Sequence, residues 1–150
     1  MSERIPLVVV GLGTPAHGDA GLGAAAIDLL RRTYTIPAGV RVGDGFPWAC
    51  EGPGVGLFID AIESDAPAGA FIRLHGEEAT PVVLRRLTAT HGRWDPQSQL
   101  ILLGLVPHTT TPGTGLSRAV EAGLAGLVRR MVLEARHLGH ELRPKAGEGR

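Results

Sequence analysis

Apolar residues run through this chain in two alternating patterns. Ile5 to Val10 is a short β-branched run that stops at Gly11-Leu12-Gly13, which predicts a buried strand entering a tight turn. From Gly21 to Arg32, Leu22, Ala26, Leu29 and Leu30 recur on one face at helical spacing. Pro37 to Val42 reads as a second strand, Leu57 to Ile62 as a third and Ala70 to Leu74 as a fourth. Between them, Gly43 to Gly56 is rich in glycine and proline and reads as an irregular loop. Thr80-Pro81 supplies an N-cap and a first helical residue, opening a helix that runs to near Thr90. Gln99 to Val106 is the longest strand candidate, without a polar residue from Leu100 to Leu103. Leu116, Val120, Leu124, Leu127 and Met131 then step by three or four along a terminal helix, with Ser117 as its N-cap.

Strands and helices alternate, and strands that are apolar on both faces belong in a sheet covered on both sides. The expected fold is therefore α/β: three layers, a mostly parallel twisted sheet of about five strands, and helices on both faces. Residues 1–142 are expected to form one domain, and the polar stretch 143–150 a disordered tail.

Composition narrows the function. Lys and Arg (15) balance Asp and Glu (15), so a main task of neutralising nucleic-acid phosphates is disfavoured. A single cysteine, Cys50, cannot form an internal disulfide, which fits a reducing compartment. No apolar run approaches the roughly 20 residues of a membrane span, and Met1-Ser2-Glu3-Arg4 leads straight into a strand with no cleavage pattern, so a cytoplasmic protein is expected.

Ligands of open α/β sheets collect outside the carboxyl ends of the strands. The loop Gly11 to Gly23 lies at such an end. It differs from a dinucleotide fingerprint: Ala16 stands where the third glycine belongs, and Asp19 repels phosphate. Asp19 has two readings, a carboxylate favoured by the first helix's N-terminus or one facing a metal. Asp60 closes an apolar strand, where an ionised carboxylate is costly unless paired, hydrogen-bonded or bound to a cation. It reads either as a cap of the next turn or as a hard oxygen ligand. His75, ending the fourth strand, is a loop histidine or an imidazole ligand that with two carboxylates suits zinc or nickel. His137 and His140 are expected to complement the terminal helix's dipole. Trp48 and Trp94 fall in loops, where exposed aromatics more often anchor a protein partner than a base. No Gly-x-Ser-x-Gly and no His-Glu-x-x-His occurs, which argues against a serine hydrolase of the elbow type and a zincin.

In order, these pieces resemble the hydrogenase maturation endopeptidases, which trim the large subunit of nickel–iron hydrogenases. Val8-Val9-Val10-Gly11-Leu12-Gly13-Thr14-Pro15 followed by Gly18-Asp19-Ala20-Gly21-Leu22-Gly23 is similar to that family's Gly-x-Gly-Asn-Pro and Gly-Asp-Asp/Glu-Gly-x-Gly signature, with Thr14 in place of the asparagine. Asp44-Gly45, Phe58-Ile59-Asp60-Ala61-Ile62, and Gly104-Leu105-Val106-Pro107 with Thr114-Gly115-Leu116-Ser117 resemble later family segments. The likeness implies a protease that recognises nickel already inserted in a hydrogenase large-subunit precursor and removes that precursor's C-terminal extension. The nickel would come with the substrate. Asp60 carries over as the principal metal contact, with Asp19 and His75 as helpers, since Ala20 occupies the family's acidic position in the first loop. Gly11, Gly13, Gly18, Gly21 and Gly23 would shape the cleft wall. The alternative is a non-catalytic relative that binds a hydrogenase subunit as a maturation chaperone through Trp48 and the loops.

Overall fold

A computed structural model describes residues 5–14, 16–43, 49–50, 54–87, 93–94 and 99–146. Its centre is a five-stranded sheet: β1 (Leu7–Gly11), β2 (Val40–Gly43), β3 (Val55–Ala61), β4 (Phe71–His75) and β5 (Gln99–Leu105). Their spatial order is β2-β1-β3-β5-β4. The first four in that order run parallel, and β4 joins β5 antiparallel. The expected α/β architecture and its mostly parallel sheet are therefore present.

The two faces of the sheet are covered by different helices. Leu7, Val9, Leu57, Ile59, Ile101 and Leu103 pack beneath α1 (Leu22–Thr33) and α3 (Arg118–His137). From α1 this layer takes Leu22, Ala26, Ile27 and Leu30, and from α3 Val120, Leu127, Val128 and Met131. That spacing puts each helix's apolar stripe against the strands. The alternate strand residues Val10, Phe58, Leu100 and Leu102 face the other way and meet Val83 of α2 (Thr80–Leu87). Each fully buried Leu, Ile or Phe here contributes about 1.5–3 kcal/mol relative to exposure. Side chains alternate along a strand, so strands apolar at every position need both coverings.

Local signals set several boundaries. Ser117 begins α3, its Oγ accepting from the Val120 amide at 3.3 Å. The glycine-rich stretch expected to be irregular contains a short strand, Ala49–Cys50, paired in parallel with Arg93–Trp94. Trp94 is thus in a strand rather than a loop. Arg143–Pro144 pairs antiparallel with Tyr34–Thr35, and the Lys145 amide donates to the Thr33 carbonyl at 3.0 Å. The segment expected as a loose tail from Arg143 therefore begins as paired chain. His140 does not sit on the helix end either: it is buried beyond it, its Nε2 bonded to the Ile5 carbonyl oxygen. Among the described residues, no helix is long and apolar enough to cross a membrane.

Candidate functional site

The chain leaves β1 toward β2 on one side and resumes with β3 on the other, so a crevice opens between the carboxyl ends of β1 and β3. Crevices of this kind are where open α/β sheets place ligands. Three segments surround it: the loop from Leu12 to Gly21, the end of β3 at Asp60, and the loop from Val106 to Ser117 after β5.

Asp60 lies on β3 opposite Gly104 of β5 and is 1% exposed. Its Oδ1 accepts from the Ala61 amide at 2.8 Å. Glycine flanks it on two sides. A Cβ on Gly104 would stand 1.9 Å from the Asp60 carbonyl oxygen, and one on Gly13 would stand 3.0 Å from Asp60 Oδ1 and 2.2 Å from the Ala20 carbonyl oxygen. Gly13 also has φ +96°, a conformation that disfavours side chains. Neither position admits a side chain: Gly13 brings backbone up to the carboxylate, and Gly104 brings it up to the main chain of Asp60. Gly104 is a supporting residue outside the glycine-rich first loop. A lone glycine within the apolar run Leu100–Val106 was its signal, since glycine inside a strand marks close backbone approach.

The first loop is seated by the remaining glycines. Gly11 and Gly23 touch so closely that a Cβ on Gly11 would lie 2.6 Å from the Gly23 carbonyl oxygen, which sets the start of α1 directly on the end of β1. At Gly18, φ is +60° and a Cβ would meet the Thr109 carbonyl oxygen at 2.6 Å. Gly21 is the N-cap of α1, with φ −83°, which other residues adopt equally well.

Asp19 is fully buried, and its carboxylate turns away from α1 toward the loop after β5. Oδ2 accepts from the amides of His108 (2.7 Å) and Thr109 (3.1 Å) and from Ser117 Oγ (2.8 Å), while Oδ1 accepts from the Ser117 amide (2.7 Å). Burial raises its pKa, but the bonds from Ser117, His108 and Thr109 outweigh that and hold the carboxyl below its ordinary value. Backbone bonds continue the seam: Gly18 N to Thr114 O, Asp19 N to Thr109 O and Gly113 N to Ala16 O, at 2.7–2.8 Å. The helix that Asp19 serves is α3, whose capping residue it holds, and not α1.

His75 stands elsewhere. Because β4 runs antiparallel, its last residue pairs with Ile101, whereas Gly104, the neighbour of Asp60, pairs with Ile72. Three residues along β5 amount to roughly 10 Å, and His75 lies one strand further out. The expected grouping of His75 with Asp60 requires the fourth strand to run parallel to β5, and the antiparallel register sets the two apart. Among the described residues, no three His, Cys, Asp or Glu side chains cluster as a metal site. Among the described residues, the crevice thus has Asp60 at the end of β3 and Ala20 beside Gly13, while Asp19 is bonded to the loop after β5. Trp48 and Asp44 lie outside the described residues.

Comparison with protein-family models and with curated proteins finds no match. Solved structures do match along nearly the whole chain. The hydrogenase-maturating endopeptidase HybD from E. coli superposes with a TM-score of 0.74 at 21% identity, covering 95% of this chain and 99% of that one. The [NiFe] hydrogenase maturation protease HycI from Thermococcus kodakarensis KOD1 gives 0.62 at 19% identity, covering 92% and 95%. A hydrogenase 2 maturation peptidase from Thaumarchaeota archaeon SCGC_AB-539-E09 gives 0.59 at 23% identity, covering 91% and 99%. This chain has the fold of those proteins.

Proposed function

We propose that this protein processes the large-subunit precursor of a nickel–iron hydrogenase, removing its C-terminal extension after nickel has been inserted. The observation that supports the reading is the buried Asp60 carboxylate at the switch-point crevice, with the backbone of Gly13 close against it, on the fold of known maturation peptidases. Because the nickel is part of the substrate, the protein needs no complete resident ligand set. A single hard oxygen meeting an open position on that ion is enough to register that it is loaded. When the metal is present it can polarise a carbonyl or activate water. The residues of this chain bind and orient: Asp60 contacts, and the two knitted loops hold the precursor's tail across the carboxyl ends of β1 and β3.

One observation favours a second reading. With Ala20 at the crevice and Asp19 saturated by four hydrogen bonds, a protein that grips the nickel-loaded subunit without cutting it fits the same geometry. Incubating the protein with nickel-loaded precursor and following the precursor's mass separates the two. Loss of the C-terminal extension supports processing. A stable complex of unchanged mass replaces it with the binding role, and neither cleavage nor complex formation ends both.

A further inference from the structure

A groove lies away from the Asp60 crevice, between the open edge of the sheet and α3. It has a volume of about 390 Å³, with Phe71, Leu105 and Leu127 among its lining residues. Leu133, at 46% one of two exposed large apolar residues among the described residues, stands along it. Gly69 and Gly123 keep α3 close to the chain entering β4: a Cβ on Gly69 would lie 2.7 Å from the Ala119 carbonyl oxygen. Arg129 and Arg130 also line the groove, and both are exposed. Arg130 is held over the Phe71 ring, 4.6 Å from its centroid. Among the described residues neither arginine has a carboxylate partner, whereas the neighbouring Arg73 is already paired with Glu134 at 2.6 Å. Beside the groove, no strand of the described residues pairs with the outer edge of β4.

Two features therefore meet here: a row of free strand-edge amides and carbonyls, and an apolar trough bordered by two uncompensated cations. An unpaired strand edge is a template for an added strand. Phe71 and Arg73 face α3, because Phe71 packs with that layer and Arg73 bonds Glu134 of α3. A strand laid along β4 would place every second side chain above the same trough. In a chain of zero net charge, two bare arginines at this place are a local feature rather than part of a general basic surface.

We infer that the β4 edge and its groove form a docking surface for an extended segment of a partner protein, carrying apolar and acidic side chains on one face. The segment adds to β4 by backbone hydrogen bonds. Its apolar side chains enter the trough over Leu105 and Leu127, and its carboxylate meets Arg129 and Arg130. This surface does not depend on Asp60, so its test stands apart from precursor processing.

The probe is a fluorescein-labelled peptide with a Leu-Thr-Glu-Thr-Leu core, followed by anisotropy on the full chain. Saturable binding is expected, weakened at least about tenfold by replacing the Glu with Lys. N-methylation of the core's backbone amides should abolish it. Gly126→Leu blocks the trough from inside, since a Cβ there meets only Arg129 Nη2 at 3.7 Å and the fold should be kept. Arg129→Ser with Arg130→Ser removes the charges on an exposed helix face. Both variants should retain the thermal midpoint within a few degrees and lose at least about tenfold in affinity. Equal binding of the Glu and Lys peptides, tolerance of N-methylation, or no saturable binding up to about 1 mM overturns the proposal. A concentration-dependent dimer abolished by Gly126→Leu also overturns it, by making a second copy the occupant.

Discussion

Two buried aspartates stand at the carboxyl ends of the parallel strands, and their surroundings differ in kind. Asp19 is surrounded by donors: three amides and a hydroxyl converge on its two oxygens from the loop after β5. Asp60 accepts from the adjacent Ala61 amide and is approached by glycine, Gly13 at its Oδ1 and Gly104 at its main-chain carbonyl. A carboxylate saturated with amide bonds has its pKa lowered and its geometry fixed, so it serves the architecture. A carboxylate with glycine backbone close against it at a topological switch point has the placement of a ligand-contacting group. Burial alone does not separate the two. The identity of the neighbouring atoms does.

The comparison can be broken at several points. The largest effect is expected from Asp60→Asn, which keeps the shape and removes the charge. Cleavage of nickel-loaded precursor should fall roughly 100-fold or more, while the thermal midpoint changes less than in any Asp19 variant. Retained cleavage would remove Asp60 from the proposed contact.

Asp19→Ala comes next and should act on stability. It strands donors from His108, Thr109 and Ser117, at a cost of about 3 kcal/mol, read by denaturant unfolding. A loss below about 0.5 kcal/mol would show that the seam between the loops holds without it.

A smaller effect belongs to acid. The Asp19 carboxyl titrates lower in the folded chain than in the unfolded one, so its contribution is complete above the unfolded pKa. It is lost as pH falls through the folded value. Stability of the native chain should therefore drop more steeply in acid than that of Asp19→Asn, and parallel pH profiles would contradict the assignment.

The smallest effect is expected from His75→Ala. At the far end of the edge strand it should leave stability within about 0.5 kcal/mol and cleavage unchanged. A strong loss of cleavage would mean that His75 reaches the crevice after all.

Much of this arrangement was legible in the amino-acid order. The apolar runs gave all five central strands, and for β1, β3 and β5 the reason is that a strand covered on two faces must be apolar at consecutive positions. Ser117 was readable as a cap from its place before a helical stripe, and Asp60 from the oddity of a charge ending a buried run. The direction of β4 was not readable: Phe71 to His75 has the same local pattern whether it runs with or against β5. That one unknown moved His75 from the crevice to the opposite end of the sheet. Asp19 misled for a related reason. Its nearest helix in sequence is α1, yet its partners are 89 to 98 residues away. Local rules of helix capping cannot reveal a bond of that span.

That span orders the events of folding. While the protein is being synthesised, the first loop emerges long before His108, Thr109 and Ser117, so for most of translation Asp19 has none of its four donors. Closing so large a loop is entropically slow, and the rim of the crevice can set only after β5 has been inserted between β3 and β4. A nascent chain halted before Ser117 would hold β1, β3 and Asp60 without the wall that faces them. The finished crevice, on this view, is among the last features the polypeptide acquires.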